Sequence, residues 1–213
     1  MIIDCISDLH GYFPEMPGGD LLIVAGDLTA RDSPIEYGHF SAWIQRQRYK
    51  KKILIAGNHD NYLFNKSHES IKDVYSDIEA EYLCDSGTEF EGLKIWGSPW
   101  TSKFPGINPH CCAFTLDCES KLCEKWALIP DDIDILITHS PSFGNFDYTT
   151  RGESVGSLSL WLKSLIVRPK IHVFGHIHEA YGHVVHPNGI HLINASYVNE
   201  KYEPVNKPIR IIL

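Results

Sequence analysis

The most informative segment of this chain is Lys52-Ile53-Leu54-Ile55-Ala56-Gly57-Asn58-His59-Asp60. Its first five residues form a mostly apolar, isoleucine-rich run of strand length, which is typical of a buried central strand. Gly57 then allows a sharp turn that presents the amide oxygen of Asn58 beside the imidazole of His59. The segment therefore predicts a strand that delivers potential ligands at its carboxyl end.

Four other apolar runs of strand length also end in polar residues. The runs are Met1–Ile6, Leu21–Ala25, Ile133–Thr138 and Ile171–Phe174. The potential ligands that follow them are Asp8, His10, Asp27, His139, His176 and His178. In open α/β sheets, ligands bind beyond the carboxyl ends of the strands. With Asn58, seven potential ligands at five strand ends therefore predict one site at a common sheet edge.

Helices are predicted between these strands. Ser33-Pro34-Ile35-Glu36 is a capping box with proline at the first helical position, and it leads into a helix over Tyr37–Arg48. Two more helices are predicted from about Asp117 to Ala127 and over Ser157–Leu165. Strands that alternate with helices favour right-handed β-α-β units, with helices on the outer faces of a sheet.

The second half of the chain favours antiparallel pairing. Hairpins are predicted where Phe90-Glu91-Gly92-Leu93 runs into Lys94–Trp96 and where Pro187–Gly189 turns within His183–Asn194. A closing strand is predicted over Pro208–Leu213. Since no repeat or linker stands out and a domain has roughly 150 residues, residues 1–213 are expected to form a single α/β domain with mixed sheets.

The composition excludes several classes of protein. The chain has 19 basic and 27 acidic residues, a net charge of −8, so we expect no stable nucleic-acid partner. The longest apolar run, Leu21–Ala25, is far short of the roughly 20 residues of a membrane span, and no signal peptide is expected. Six cysteines without such a leader indicate reduced thiols in the cytoplasm. A small-molecule partner is therefore expected, and the oligomeric state stays open.

The potential ligands are carboxylate, imidazole and amide groups, without cysteine. This set disfavours an all-oxygen magnesium or calcium site and a four-cysteine zinc site, and it suits Mn, Fe or Zn. Seven ligands are too many for one catalytic ion that keeps positions open for water and substrate. They match two ions that share a bridging carboxylate and clamp a phosphoryl group. The sequence therefore predicts two divalent transition-metal ions.

The ligand-bearing segments resemble, in order, the five sequence blocks of the calcineurin-like metallophosphoesterases. The blocks are Asp8-x-His10, Gly26-Asp27, Gly57-Asn58-His59-Asp60, His139 and Gly175-His176-x-His178. The resemblance extends over nearly the whole chain. It implies a two-sheet mixed β sandwich flanked by helices, in the four-layer αββα order, and a phosphoester hydrolase that attacks with a metal-bound hydroxide.

Four further segments resemble a narrower group, the metallophosphoesterase domain-containing proteins. They are Gly97–Trp100, Thr138–Pro141, Gly175–Glu179 and Ile193–Ser196. Because several members of that group act on cyclic-nucleotide-type diesters, the resemblance implies a phosphodiesterase for small diesters, cyclic nucleotides included. Two alternatives stay open. They are a phosphomonoesterase for nucleotides or sugars and a non-catalytic scaffold with the same fold.

The resemblance also implies a role for each residue. One ion is assigned to Asp8, His10, Asp27 and His178. The other ion is assigned to Asp27, Asn58, His139 and His176, so that Asp27 is the bridge. His59 is the expected catalytic residue, which protonates the leaving oxygen with Asp8 as its partner. Asn58, His59 and Arg151 are the expected contacts of the substrate.

Several other features have plainer interpretations. Gly152–Gly156 fits the Gly-x-Ser-x-Gly pattern of serine hydrolases, but no aspartate follows it, so it is interpreted as a loop. Phe143 and Tyr181 are candidates for stacking on a nucleobase, although aromatic residues at strand edges usually pack into a core. His172 and His183 are interpreted as ordinary strand histidines, and the cysteines as free thiols.

Overall fold

The structure, a computed structural model, describes residues 1–104 and 110–213 of the chain. Within these residues, two mixed sheets hold most of the strands. The first sheet has, in spatial order, β13 (Ile209–Ile212), β1 (Ile2–Ile6), β2 (Gly19–Ala25), β3 (Tyr49–Ile55) and β4 (Glu81–Tyr82). Strands β1 to β4 run parallel, and β13 pairs antiparallel with β1. The predicted closing strand is therefore confirmed.

The second sheet contains the two predicted hairpins. Its spatial order is β11 (Gly182–Val185), β12 (His191–Asn194), β10 (Ile171–Phe174), β9 (Ile135–Thr138), β6 (Leu93–Ser98) and β5 (Ser86–Phe90). The four inner strands are parallel, and each outer strand pairs antiparallel with its neighbour. Glu91 and Gly92 join β5 to β6 with positive φ at both positions, as a two-residue hairpin turn requires. A short separate pair joins β7 (Thr101–Ser102) to β8 (Thr115–Leu116).

Helices cover the outer face of each sheet. Those beside the first sheet are α1 (Pro34–Arg46), α2 (Asn61–Phe64) and α3 (His68–Ser76). Those beside the second sheet are α4 (Glu119–Trp126) and α5 (Leu158–Val167). The predicted capping box of α1 is present, with Ser33 and Glu36 bonded reciprocally. In the residues described, no helix has both the length and the apolar character needed to cross a membrane.

The hydrophobic core follows the alternation of side chains along the strands. Ile53 and Ile55 of β3 face the second sheet and pack in one cluster with Ile135 and Ile137 of β9. Leu54 faces the opposite way, into the cluster that α1 and α3 cover. The second sheet buries its other face in the same manner beneath α4 and α5. The four-layer αββα sandwich predicted from the sequence is therefore confirmed.

Several boundaries differ from the prediction by a few residues, and two of them lie on either side of the turn between α1 and β3. α1 ends at Arg46 rather than Arg48, and β3 begins at Tyr49 rather than Lys52. The strand begins earlier because Tyr49 pairs in register with Gly19 of β2, so that sheet pairing extends into a polar segment. The sequence does not predict α2 or α3, since α2 is only four residues long and α3 buries few side chains.

Candidate metal centre

The predicted ligands lie together at one edge of the sandwich, where five parallel strands from both sheets end. Backbone hydrogen bonds join the loops that carry them. The Asp8 N–H donates to the Gly26 carbonyl at 3.0 Å, and the Gly175 N–H donates to the His139 carbonyl at 3.2 Å. The loop after β1 is thus tied to the loop after β2, and the loop after β9 to the loop after β10. The two sheets supply the site jointly.

Four of the ligands have a left-handed backbone. The φ angles are 51° at Asp8, 42° at His10, 53° at Asp27 and 71° at His176. A non-glycine residue in this region costs about 1–3 kcal/mol, and it persists where the surrounding structure imposes it. Strain concentrated on four neighbouring polar residues is typical of a functional site rather than of an ordinary loop.

A first cluster is formed by Asp8, His10, Asp27 and His178, which are all buried. One ligand atom from each residue lies within 4.8 Å of the others. The two Nε2 atoms of His10 and His178 are 3.2 Å apart, and the Nε2 of His178 is 3.3 Å from Oδ1 of Asp8. The Nε2 of His10 is 3.7 Å from Oδ2 of Asp27. The carboxylate oxygens and imidazole nitrogens of the four residues thus point their lone pairs at one place, where a metal cation would fit.

A second group surrounds His139. Its Nδ1 lies 2.9 Å from the Ala25 carbonyl, which requires a proton on Nδ1. Its Nε2 then faces two oxygens, Oδ1 of Asn58 at 3.0 Å and Oδ2 of Asp27 at 3.4 Å. The ring of His176 lies 5.0 Å from that of His139, and among the described residues its buried Nε2 has no hydrogen-bond partner. These atoms fit a second cation that shares Asp27 with the first.

The pKa values divide the potential ligands into groups that are free of a proton and one that carries a proton. Burial lowers the pKa of His10 and of His176 to about 3, so both rings are neutral at physiological pH. Burial also opposes the charge of Asp27, but the neighbouring imidazoles of His139 and His59 hold the pKa of this carboxyl well below its usual range. Burial acts against a proton on His139 as well, yet Asp27 raises the pKa of that ring to about 9. In the absence of metal, a proton on His139 therefore balances the charge of Asp27.

A second set of groups orients the ligands. Asp8 accepts hydrogen bonds from the His176 N–H at 3.0 Å and from the Ser196 hydroxyl at 2.7 Å. Buried Asp60 accepts the N–H groups of Gly57 at 2.7 Å and of Asp27 at 3.1 Å, and thereby joins two ligand loops. Burial, reinforced by the charge of Asp27, raises the pKa of Asp60 to about 7. Asp60 belongs to the third sequence block, but sequence reasoning gave it no role.

Two glycines keep the ligands close to the backbone. A Cβ atom at Gly57 would lie 2.2 Å from Oδ1 of Asp27, and one at Gly175 would lie 2.1 Å from Oδ2 of Asp8. Either side chain would displace a carboxylate of the site. The glycines that precede Asn58 and His176 in the sequence blocks are therefore required by space.

His59 lies beside the first cluster, with its ring 4.7 Å from that of His10. Its N–H donates to Oδ1 of Asp27 at 2.9 Å, and its Nε2 is 4.0 Å from Oδ2 of the same residue. The prediction that Asp8 is the partner of His59 is wrong for these two described residues. Asp8 is engaged by His176, Ser196 and His178, and the Nδ1 of His59 instead contacts Sγ of Cys111 at 3.3 Å.

A cavity of about 560 Å³ opens over these residues. Exposed Arg151 lies in its wall, on a loop anchored where the Thr150 N–H donates to Glu179 at 2.7 Å. The phenylalanine and tyrosine of the described wall are Phe104 and Tyr202, and the stacking candidates Phe143 and Tyr181 are not part of it, in line with the plainer interpretation. The hydroxyl of Tyr181 instead donates to the Lys207 carbonyl.

Tyr202 and Cys111 are the site residues that sequence reasoning missed. The Tyr202 ring meets the rings of His10 and His178 edge-on, at 4.8 and 5.1 Å, and its φ of 61° is left-handed. Both residues lie outside the sequence blocks, in segments that only the tertiary fold brings to the cavity. No local pattern could have identified them.

The features with plainer interpretations lie apart from the ligands. Ser154 of the Gly-x-Ser-x-Gly segment donates to Asp147, in a loop. His172 is buried in β10 with its Nε2 2.8 Å from the Thr138 hydroxyl, and His183 stacks on His191. The six cysteines are free thiols.

Comparison with known proteins agrees with this geometry. Residues 1–180 match the family model described as Calcineurin-like phosphoesterase. Metallophosphoesterase domain-containing protein 1 of Homo sapiens is 38% identical over 234 residues, which cover 98% of this chain and 70% of that protein. The Mus musculus protein of the same name gives the same values.

Solved structures share the fold. One superposes with a TM-score of 0.67 at 13% identity, over 91% of this chain and 89% of its own. GAP50, the anchor in the inner membrane complex of Plasmodium, gives a TM-score of 0.50 at 11% identity, over 92% of this chain and 71% of its own. At such identities the likeness extends to the fold alone.

Proposed function

Because this chain belongs to the calcineurin-like phosphoesterases, we propose that its metal-dependent phosphoesterase activity is directed at small phosphodiesters, cyclic nucleotides included. The observation that carries the proposal is the pair of ligand groups that share Asp27, beneath one open cavity. Such a pair matches a centre with two divalent ions, for which Mn, Fe and Zn are the candidates.

The residues present fit two ions. Asp8, His10, Asp27 and His178 would hold one, and Asp27, Asn58, His139 and His176 would hold the other. The fit rests on the neutral imidazoles of His10 and His176 and on the buried Nε2 of His176, which a metal would satisfy. When bound, the ions would activate a water and neutralise the phosphoryl oxygens.

The protein's own groups orient the substrate and move the proton. Asn58 turns its Oδ1 to His139, which leaves its amide nitrogen as a donor for a phosphoryl oxygen. His59 holds its Nε2 toward the same space as Asp27 and would give a proton to the leaving oxygen. Arg151 approaches from the exposed rim, where it would meet a substrate oxygen.

The size of the cavity supports a diester as substrate. Its volume of about 560 Å³ leaves room for an organic group on each side of phosphorus. Besides the proposed ligands, its wall holds the charged residues Glu153, Glu179, Glu200, Lys103 and Arg151.

The test is hydrolysis of an aryl phosphodiester and of the matching monoester by metal-stripped protein, with and without added Mn. We expect faster cleavage of the diester, only with Mn. Asp27→Ala should lose bound metal and activity, whereas Asp132→Ala, which alters an exposed carboxylate paired with Lys94, should keep both.

Other outcomes would redirect the assignment. Faster cleavage of the monoester would establish a phosphomonoesterase for nucleotides or sugars. Two bound metal ions without turnover of either substrate would establish the non-catalytic scaffold. We also propose a cytoplasmic location, which localisation of the tagged protein in cells would test.

A further inference from the structure

We propose that Cys111 is a positioning residue, which holds the ring of His59 in the orientation needed to deliver a proton to the leaving group. The Sγ of Cys111 lies 3.3 Å from Nδ1 of His59, and both residues line the cavity. The inference rests on the proposed function, because it concerns the residue that we propose as the proton donor.

The backbone of His59 is fixed independently of this contact, since its N–H donates to Oδ1 of Asp27. The ring orientation needs a restraint of its own, because rotation about the bond to the ring is broad for histidine. The Nε2 edge faces Asp27 at 4.0 Å without a close hydrogen bond. The contact of Nδ1 with Cys111 is the closer of the two, and it therefore sets the direction of Nε2.

A thiol suits the proton transfer assigned to His59. If the ring gives the proton on Nε2 to the leaving oxygen, the N–H bond at Nε2 breaks, an O–H bond forms, and Nδ1 keeps its own proton. Nδ1–H can therefore donate to Sγ of Cys111 before and after the transfer. The thiol can also donate to Nδ1 in the other tautomer, so the contact does not depend on which ring nitrogen carries the proton.

The surroundings keep Cys111 in its thiol form. Burial, followed by the charge of Asp27, raises the pKa of Cys111 to about 11. A protonated thiol is the state that can both donate and accept. The neighbouring Cys112 also lines the cavity, but it is exposed and its sulfur lies 3.8 Å from Oδ1 of Asn61. It therefore provides a matched control for loss of a thiol in the cavity wall without loss of the contact with His59.

The experiment compares Cys111→Ala, Cys111→Ser and Cys112→Ala in the Mn-loaded protein, with diesters of good and poor leaving groups. A general acid contributes about 10²–10⁴-fold to rate, and loss of its positioning should remove part of that. For Cys111→Ala we expect kcat to fall roughly 10-fold with a poor leaving group, and less than about 2-fold with a nitrophenolate, at unchanged KM and metal content. Serine should restore most of the rate, because its hydroxyl also donates and accepts.

A second measurement does not depend on activity. The ¹⁵N shifts of His59 in the zinc-loaded protein should report one ring tautomer in the unsubstituted protein and in Cys111→Ser, and averaged tautomers in Cys111→Ala. An equal loss of rate for all leaving groups, the same loss in Cys112→Ala, or unchanged rates and shifts in Cys111→Ala would overturn the inference. Absence of turnover in the unsubstituted protein would refute the proposed function instead, and the shifts would still test the contact.

Discussion

Metal binding at the group around His139 should compete with a proton. In the metal-free protein, Asp27 outweighs burial and raises the pKa of His139 to about 9. A metal needs the Nε2 lone pair, because Nδ1–H is committed to the Ala25 carbonyl. Below pH 9 the proton must therefore leave before the metal binds, and the affinity should fall as the pH falls.

The magnitude follows from the pKa. One pH unit changes the cost of removing the proton by about 1.36 kcal/mol. Between pH 8 and pH 6 the affinity should thus fall roughly 100-fold, or about 2.7 kcal/mol. His176 and His10 add nothing in this window, since burial lowers the pKa of each to about 3. His178, whose pKa Asp8 raises against the effect of burial, should add a pH dependence of the same sign at the other site.

Calorimetric titration with Mn in buffers of different ionisation enthalpy measures both the affinity and the protons released. Near pH 7, we expect about one proton to be released when a metal ion binds the group around His139. His139→Asn keeps a polar ligand that does not titrate, so its affinity should be lower and lose this part of the pH dependence. A flat affinity between pH 6 and pH 8, or a slope that persists unchanged in His139→Asn, would refute the reasoning.

Three further predictions concern single side chains. His59→Ala should keep both metal ions and lose turnover most for poor leaving groups, which metal analysis and a leaving-group series would check; loss of metal would contradict its role as proton donor. Asp60→Ala should destabilise the protein by about 3 kcal/mol or more, because it leaves the buried N–H groups of Gly57, Asp27 and Leu28 without an acceptor, at about 1–3 kcal/mol each. Urea unfolding would measure the loss, with Asp132→Ala as the control. An equal unfolding midpoint for the two variants would show that Asp60 does not hold the ligand loops together. Tyr202→Ala should raise KM several-fold at constant metal content, since its ring lies against His10 and His178 in the cavity wall; an unchanged KM would show that the ring does not meet the substrate.

Local sequence could predict those parts of the fold that local physics determines. The run Lys52–Ala56 is mostly apolar, as suits a strand buried between β2 and β4, so the sequence could locate this strand. Its start at Tyr49 depends on pairing with Gly19 of β2, which the local sequence does not show. Helix α3 buries only Ile71 and Tyr75, and so few apolar positions give no clear helical period.

The site divides in the same way. The seven proposed ligands follow strands directly, and the structure brings them together at one edge. Cys111 comes from a loop 52 positions away from His59, and only the tertiary fold makes them neighbours. The wrong prediction that Asp8 is the partner of His59 has the same cause. The carboxylate of Asp8 accepts hydrogen bonds from the His176 N–H and the Ser196 hydroxyl, and both residues lie far along the chain.

The division of ligands between the sheets couples the site to the fold. The first sheet supplies Asp8, His10, Asp27 and Asn58, whereas the second supplies His139, His176 and His178. Each proposed ion would therefore join both sheets at the end of the apolar layer between them. Without metal, the joint depends on hydrogen bonds such as that from the His176 N–H to Asp8 and on the proton that His139 carries beside Asp27. Acidification from pH 8 to pH 6 should thus weaken metal binding but leave this joint in place, because the proton that displaces the metal restores the pairing of His139 with Asp27.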